Sequence, residues 1–363
     1  MKKKHFRIGM ALSILFATNA TAQQQTLKDA YADYFDVGVS LSMDVLKGEK
    51  AQKLVIDEFS SITAENCMKP EPLSPTKGTY LFGEADSLIN FAQSNGKKIR
   101  GHALLWHYQS PDWFFDPTPD GEKPSKEIIF GRLRTYIHDV VGHFKGRVYA
   151  WDVVNEAISD KADEYLRVSK WSEHCGEEFI MKAFQYAHEA DPNAELYYND
   201  YNVIDPVKRA KIIKLISRIQ AQGIPITGLG IQAHWNVAEP TRPQLMETIE
   251  QLSVLNIKLH ITEMDLRVTT ATLGGQLTAE EKEKAVYKFT PKLSKRQADQ
   301  YEMLFDVFRQ YSHIIENVTF WCLSDGNTWL DRRWNNEGKN FPLLFNPELE
   351  RKEAYYRITN FKK

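Results

Sequence analysis

The chain contains two short apolar stretches that end in acidic residues, Trp151-Asp-Val-Val-Asn-Glu156-Ala and His260-Ile-Thr-Glu263-Met-Asp265. Each stretch predicts a buried β-strand with a glutamate at its carboxyl end. A barrel of parallel strands keeps its chemistry at this end of the strands. Two carboxyl groups facing each other across one cleft are the minimum equipment for cleaving a glycosidic bond. Glu156 and Glu263 are therefore the first candidates for a catalytic pair.

Strand-like runs recur throughout the chain and alternate with helical patterns. The runs cover residues 37–42, 60–68, 98–107, 148–156, 195–202, 228–235, 258–266 and 318–325. Eight strand–helix units predict an α/β protein with a single (β/α)8 TIM barrel. A doubly wound open sheet is the alternative, but no glycine-rich phosphate turn follows the first strand.

The segments between the strand-like runs show helical spacing of apolar residues. This spacing predicts helices over residues 125–145, 177–190 and 206–222. Pro206 is placed as a helix start and Gly223 as a helix stop. The long connection 267–293 directly follows the strand that bears Glu263. We expect it to border the cleft as a solvated surface insertion with one short helix.

The amino terminus has the three parts of a secretory signal peptide. A basic segment precedes an apolar stretch at 8–17, and Ala20-Thr21-Ala22 follows. We predict cleavage after Ala22, which leaves residues 23–363 as the catalytic domain of a secreted or periplasmic protein. The apolar stretch is short for a membrane span, and no cysteine follows the cut for a lipid anchor. A disordered or buried amino terminus is the alternative.

The composition excludes several classes of function. A formal net charge of -2 argues against a nucleic-acid partner. Cys67, Cys175 and Cys322 are too few for a disulfide framework, although a bridge between Cys67 and Cys322 stays open. No cysteine and histidine spacing suggests zinc, so we expect no metal and no cofactor. The 8 Trp and 16 Tyr offer flat faces that suit sugar rings.

The neighbours of the two glutamates differ, and they suggest different roles. Residues i and i+2 of a strand face the same way, so Asp265 lies on the same side as Glu263. His234, near the end of the sixth run, would join them in a chain Asp265–His234–Glu263 that keeps Glu263 ionised. Asn155 precedes Glu156 and could bond a sugar 2-hydroxyl. Either glutamate alone could instead cap a helix or pair with an arginine.

The sequence also resembles a known family. The motifs are Thr63-Ala-Glu-Asn-Cys-Met-Lys69-Pro, Arg100-Gly-His-Ala-Leu-Leu-Trp-His107, Trp151-Asp-Val-Val-Asn-Glu156-Ala, Tyr198-Asn-Asp-Tyr-Asn202, Gly230-Ile-Gln-Ala-His234 and Ile261-Thr-Glu263-Met-Asp. In this order they resemble a glycoside hydrolase family 10 endo-β-1,4-xylanase, a retaining enzyme on a (β/α)8 barrel. The similarity extends over residues 31–361.

The resemblance implies a role for each site residue. It implies Glu156 as the acid/base and Glu263 as the nucleophile. The residues implied to bind sugar on the non-reducing side of the cut are Glu65, Asn66 and Lys69. Those implied to surround the sugar at the cleavage point are His102, Trp106, His107, Asn155, Gln232 and His234. Tyr201 and Asn202 would meet the sugar beyond the cut, and Trp321 and Trp329 would wall the non-reducing side.

Some positions keep a second interpretation or depart from the family pattern. Lys69 could simply pair with Glu65, and Trp106 could pack inside the barrel. Cys322 stands where the family usually has a glycine after the tryptophan.

The expected substrates are xylan and xylo-oligosaccharides, acted on by a monomer with no membrane contact after signal cleavage. A β-1,4-glucanase or cellulase on the same barrel and a non-catalytic carbohydrate-binding barrel are the alternatives.

Overall fold

The computed structural model describes residues 25–269, 286–333 and 338–362. The predicted signal peptide lies outside the described residues, as do positions 270–285 of the long connection after the seventh run. Within the described part, no helix has the length and apolarity needed to cross a membrane.

Parallel strands form a closed barrel. The strand segments are β1 Asp36–Leu41, β2 Ser61–Ala64, β3 Lys98–Trp106, β4 Ala150–Asn155, β5 Glu195–Asp200, β6 Gly228–Ile231, β7 His234–Asn236, β8 Lys258–Arg267 and β9 Ile315–Phe320. Pairing of β1 with β9 and of β6 with β8 closes the ring. Segments β6 and β7 follow each other along β8, so they occupy one position in the ring. The barrel has the eight strand positions that the sequence predicts.

Helices follow the strands on the outside of the barrel. They are α1 Leu27–Ala30, α2 Glu49–Glu58, α3 Pro70–Leu73, α4 Gly83–Ser94, α5 Lys126–Phe144, α6 Lys170–Cys175, α7 Glu178–Ala190, α8 Pro206–Ala221, α9 Arg242–Ser253, α10 Pro291–Gln310, α11 Trp329–Arg333 and α12 Glu353–Thr359. The three helices predicted from spacing are confirmed to within one residue at each end. Pro206 begins α8, and Gly223 follows its end with φ of +67°.

Left-handed residues end or interrupt several strands at the carboxyl end of the barrel. Glu156 follows β4 with φ of +59°, and Ala233 separates β6 from β7 with φ of +60°. Cys322, with φ of +80°, follows β9, which ends at Phe320. The prediction that the eighth strand runs to residue 325 is therefore wrong, because a left-handed residue breaks the extended backbone.

Strand β8 is longer than the prediction. It continues to Arg267, one residue beyond the predicted run 258–266, and Glu263 lies four residues before its end instead of at its tip. The extension is paired with β7, where Asp265 lies opposite His234. This pairing brings the two residues to the same level of the barrel.

A glycine allows a tryptophan to fit between two strands. Gly101 of β3 is paired with Trp151 of β4. A Cβ atom on Gly101 would lie 2.2 Å from Cε3 of Trp151, far inside contact distance. The Trp151 side chain is fully buried, so the ring occupies the space that a side chain on β3 would need.

The two ends of the described chain meet at the amino-terminal side of the barrel. Tyr31 stacks on Phe35 with ring centroids 4.8 Å apart, and its hydroxyl donates to the carbonyl of Ile358. Phe361 also contacts the ring of Tyr31, at 5.2 Å between centroids. These contacts tie the two ends of the described chain together.

Candidate active site

An open cleft of about 750 Å³ crosses the carboxyl ends of the strands. It is lined by Glu65, Asn66, Lys69, His102, Trp106, His107, Tyr108, Gln109, Asn155, Glu156, Arg167, Tyr201, Gln232, His234, Glu263, Trp321 and Trp329. All the site residues predicted from the sequence are in this set except Asp265 and Asn202. Asp265 lies buried behind His234, whereas Asn202 is exposed and donates to Asp160 at 3.3 Å.

The carboxylate of Glu263 accepts hydrogen bonds on both oxygens. Nδ2 of Asn199 donates to Oε1 at 2.7 Å, and Nε2 of His234 lies 3.2 Å from Oε2. Burial opposes ionisation of Glu263. The hydrogen bond from His234 and the nearby charges of His102 and His234 outweigh it, so the pKa of Glu263 is lowered. Glu263 is thus a buried carboxylate held in its ionised form.

His234 connects Glu263 to Asp265, as the sequence predicts. Its Nδ1 lies 2.8 Å from Oδ2 of Asp265. Burial lowers the pKa of His234, but the charge of Asp265 and the hydrogen bonds to both carboxylates raise it to about 10. At neutral pH the imidazole is therefore protonated and donates from both nitrogens. Trp329 fixes this arrangement, because its Nε1 donates to the same Asp265 oxygen at 2.8 Å.

Glu156 lies across the cleft and is bonded by two amides. Its Oε1 accepts from Nε2 of Gln232 at 3.0 Å and from Nδ2 of Asn155 at 3.2 Å. Oδ1 of Asn155 accepts in turn from Gln232 at 3.1 Å and from Asn199 at 2.9 Å. Since Asn199 also donates to Glu263, one chain of amides joins the two carboxylates.

A buried ion pair supports His102, one of the residues that line the cleft. Nη2 of Arg100 donates to Oδ1 of Asp152 at 2.5 Å, and Nδ1 of His102 lies 2.9 Å from Oδ2 of the same carboxylate. Burial would raise the pKa of Asp152, but the charge of Arg100 and the bond from His102 lower it. The ring of His102 meets Trp321 edge-on at 5.3 Å between centroids. Asp152 therefore orients a histidine that faces the cleft.

The residues implied for the non-reducing side lie together. Nζ of Lys69 donates to Oδ1 of Asn66 at 3.0 Å and lies 5.0 Å from the ring centre of Trp106. Burial lowers the pKa of Lys69, while the charges of Glu263, Glu65 and Glu156 act against this. A cation held by an amide oxygen and an aromatic face is well placed to bond sugar hydroxyls.

Two polar atoms in the cleft have no hydrogen-bond partner among the described residues, Nε1 of Trp106 and Nδ1 of His107. Burial and the positive charges of Arg167 and Lys208 lower the pKa of His107 to about 4, so the ring is neutral at neutral pH. Buried polar atoms normally have partners, so these two are unsatisfied groups in the wall of the cleft.

Several residues of the site escaped sequence prediction. Asn199 and Asp152 lie inside the quoted strand motifs, and an inward-facing polar residue in an apolar run could have identified them. Arg167 lies in the irregular segment after β4, where no period locates a side chain. Tyr108 and Gln109 follow β3 and line the cleft, and 76% of Tyr108 is exposed.

The cysteines and one cluster of possible metal ligands are also described by the structure. All three cysteines are buried and none of them is in a disulfide, so the bridge between Cys67 and Cys322 is not formed. Within the described ranges, Glu195, His260 and Glu316 offer ligand atoms within 4.8 Å of one another, at the amino ends of β5, β8 and β9. Nζ of Lys258 already bonds both glutamates, at 2.6 and 2.8 Å.

Two carboxylates in one cleft, at the carboxyl end of a (β/α)8 barrel, define the protein as a glycoside hydrolase. The family model described as glycosyl hydrolase family 10 matches residues 26–361. The chain belongs to this family.

Relatives of known activity cover nearly the whole chain. The β-1,4-xylanase of Dictyoglomus thermophilum is 41% identical over 338 residues, 93% of this chain and 91% of that protein. Endo-1,4-β-xylanase B of Paenibacillus barcinonensis is 40% identical over 333 residues, 92% of this chain and 97% of that protein. The crystal structure of xylanase XynB from Paenibacillus barcinonensis, complexed with a conduramine derivative, superposes with a TM-score of 0.86. The two sequences are 40% identical, and the match covers 93% of this chain and 99% of the XynB chain.

Proposed function

We propose that the protein is an endo-1,4-β-xylanase that hydrolyses internal β-1,4-xylosidic bonds of xylan with net retention. The observation that carries the proposal is the asymmetry of the two carboxylates in one cleft. Glu263 is held ionised by a protonated His234, whereas the side-chain hydrogen bonds that Glu156 accepts from the described residues come from the neutral amides of Asn155 and Gln232. The relatives described as xylanases supply the substrate class.

In the first step, a carboxylate oxygen of Glu263 attacks the anomeric carbon of the bound sugar. The electron pair of the breaking C–O bond leaves with the departing oxygen, which takes the proton from Glu156. The product is a glycosyl ester on Glu263 and an ionised Glu156. Asn199 and His234 hold the two oxygens of the nucleophile in place during the attack.

In the second step, Glu156 acts as a base. It takes a proton from a water molecule, whose oxygen attacks the anomeric carbon from the face that the leaving group occupied. The ester bond breaks and returns its electron pair to Glu263, while Glu156 regains its proton. Two inversions give net retention, and every group returns to its starting state.

The proposed positions of the sugars follow from the two sides of the cleft. Glu65, Asn66, Lys69, Trp321 and Trp329 would bind the sugar on the non-reducing side of the cut. The residues proposed around the cleavage point are His102, Trp106, His107, Asn155, Gln232 and His234, and those beyond it are Tyr201 and Asn202.

We also propose that residues 1–22 are a signal peptide and that the mature protein acts as a secreted or periplasmic monomer. The three-part pattern at the amino terminus supports export, and the cleft is built from one chain. Sequencing the amino terminus of the exported protein tests the cleavage site, for which we expect Gln23 as the first residue.

Three variants test the two carboxylate roles. Glu263→Ala should abolish hydrolysis of linear xylan, and Glu156→Ala should keep activity only on aryl xylobiosides with a good leaving group. Added azide should accelerate the reaction of Glu156→Ala and give a β-xylobiosyl azide, because azide attacks the glycosyl ester without a general base. Glu122→Ala is the matched control, because Glu122 is exposed and does not line the cleft.

NMR of the first product should give the β-anomer. Near-normal hydrolysis by Glu263→Ala would overturn the proposal, and so would a first product in the α-configuration. Comparing rates on aryl β-xylobioside and aryl β-cellobioside checks the substrate class, and we expect the xylobioside to be preferred.

A further inference from the structure

The backbone of Glu156 adopts a left-handed conformation that needs contacts with other residues to persist. Its φ of +59° lies in the left-handed region, which is uncommon for residues other than glycine. Such a conformation persists only when the surrounding structure determines it. The N–H of Glu156 donates to the carbonyl of Asn199 at 2.9 Å, which fixes one side of the residue. Arg167 bonds the carbonyl of Glu156, and Tyr198 bonds the N–H groups of the next two residues. The proposed chemistry uses neither of these side chains.

Arg167 holds the carbonyl side of Glu156. Its Nε donates to the carbonyl oxygen of Glu156 at 3.0 Å. The segment between the two residues folds back on itself, with Ile158 bridged to Leu166 and the N–H of Arg167 bonded to the carbonyl of Ala157. The fold-back thus brings the guanidinium to the main chain of the proton donor from 11 positions further along the sequence.

Asp160 fixes the guanidinium in turn. Its carboxylate accepts from Nη2 of Arg167 at 3.0 Å, from the hydroxyl of Tyr201 and from Nζ of Lys208 at 2.8 Å. Nη2 of Arg167 also donates to the hydroxyl of Tyr201 at 2.6 Å. Burial would raise the pKa of Asp160, but the bonds from Lys208 and Tyr201 lower it to about 2. The carboxylate of Asp160 is therefore ionised at neutral pH.

A second series of contacts also begins at Lys208 and ends at the N–H groups of Ala157 and Ile158. Nζ of Lys208 also bonds Oδ1 of Asp200 at 2.8 Å, and Oδ2 of Asp200 accepts from the hydroxyl of Tyr198 at 2.5 Å. That hydroxyl accepts from the N–H groups of Ala157 and Ile158, both at 3.0 Å. The two branches start at Lys208 and meet at the main chain around Glu156, so they form a closed ring of polar contacts.

We propose that Asp160 and Arg167 are positioning residues for the proton donor, which act by fixing the left-handed main chain of Glu156. This inference rests on the proposed role of Glu156. The attack by Glu263 does not depend on the ring, because Glu263 lies on β8 and is held by Asn199 and His234. Loosening the ring should therefore weaken proton delivery and leave the nucleophile intact.

Leaving-group dependence measures this effect directly. The value of kcat/KM is determined on two substrates. The leaving group of phenyl β-xylobioside needs a proton in order to depart, whereas that of 2,4-dinitrophenyl β-xylobioside does not. General acid catalysis contributes about 10²–10⁴-fold, so we expect Asp160→Asn to lose roughly 10- to 100-fold on the phenyl substrate. On the dinitrophenyl substrate we expect a change of less than about 3-fold, since acid assistance contributes little there.

Two further variants make the test robust. Arg167→Lys keeps a positive charge but lacks the Nε donor, so it should give the same pattern even if Asp160→Asn does not fold. Lys161→Gln is the matched control on the same segment, because the Lys161 side chain is exposed and pairs only with Glu164 among the described residues. Thermal unfolding of each variant checks that it is folded.

The outcomes separate this inference from the proposed function. An equal loss on both substrates would overturn the positioning role and indicate leaving-group binding or general damage. No loss on either substrate would overturn it as well. If Glu156→Ala itself shows no leaving-group dependence, the role of Glu156 is wrong, whatever Asp160→Asn does.

Discussion

Nε2 of His234 lies 3.2 Å from Oε2 of Glu263, and it belongs to an imidazole that is protonated at neutral pH. The nucleophile therefore faces a fixed positive charge on one oxygen and a neutral amide on the other. Removing that charge changes the pH at which the nucleophile becomes active.

We expect His234→Gln to move the acidic limb of the kcat/KM profile to higher pH. The charge and hydrogen bond of His234 lower the pKa of Glu263, so their loss must raise it. Because the acidic limb reports ionisation of the nucleophile in the free enzyme, it should follow in the same direction. The measurement is kcat/KM on dinitrophenyl β-xylobioside from pH 3 to 7. His313→Gln, at an exposed histidine, is the control. An unchanged or more acidic limb in His234→Gln would contradict the assignment.

The raised pKa of His234 also predicts how stability depends on pH. The group binds its proton more tightly in the folded than in the unfolded chain, so its contribution is complete below the unfolded pKa of about 6.5. It is lost as the pH rises through the folded value of about 10. The difference in free energy of unfolding between the wild type and His234→Gln should therefore decrease as the pH rises from the unfolded to the folded pKa of His234. Urea unfolding at several pH values measures the difference, and a difference that grows with pH would refute this sign.

Asn199 should matter to the rate although it does not line the cleft. Its Nδ2 donates to Glu263 at 2.7 Å and to Asn155 at 2.9 Å, and its Oδ1 accepts from Thr262 at 2.7 Å. A hydrogen bond to a charged group contributes about 1.5–3 kcal/mol, so Asn199→Ala should lower kcat by roughly 10- to 100-fold. Steady-state kinetics on xylohexaose measures this loss. Asn193→Ala, at an exposed position, should keep the wild-type rate. Wild-type kcat in Asn199→Ala would show that Glu263 needs no such donor.

The barrel and the Asp265–His234–Glu263 chain were predictable because they follow from regular periods. Strand residues alternate in period two, so the sequence places Asp265 on the same side as Glu263. The contacts of Arg167 with Glu156 have no such origin. They depend on a left-handed residue and on a segment that folds back on itself, and neither leaves a periodic pattern. For the same reason the sequence overestimates the length of the last strand, which ends before the left-handed Cys322.

The close approach of Gly101 and Trp151 predicts opposite effects for two glycine substitutions. Gly101→Ala would place a Cβ 2.2 Å from the Trp151 ring, and overpacking of this kind costs about 1–3 kcal/mol or more. Gly131 lies in α5 with nothing within 4 Å of its hypothetical Cβ. Gly131→Ala should therefore stabilise the protein by about 0.5–1 kcal/mol. Urea unfolding compares the two variants, and the prediction fails if Gly101→Ala is as stable as the wild type.

Cys322 combines a buried side chain with a backbone that favours glycine. Its φ is +80° and its side chain is fully buried, while its N–H donates to Oγ of Ser40 at 2.8 Å. The burial of the sulfur and the left-handed backbone can be separated by two substitutions. Cys322→Ala and Cys322→Gly both remove the buried sulfur, but only glycine relieves the left-handed strain of about 1–2 kcal/mol.

The flexibility that glycine adds to the unfolded chain opposes this relief by about 0.4–1 kcal/mol. We therefore expect Cys322→Gly to be more stable than Cys322→Ala by about 0.5–1 kcal/mol, the difference between strain relief and chain entropy. The free energy of unfolding in urea measures the difference between the two variants. If Cys322→Ala were the more stable of the two, the left-handed backbone would not be strained, and burial of the sulfur alone would explain the cysteine.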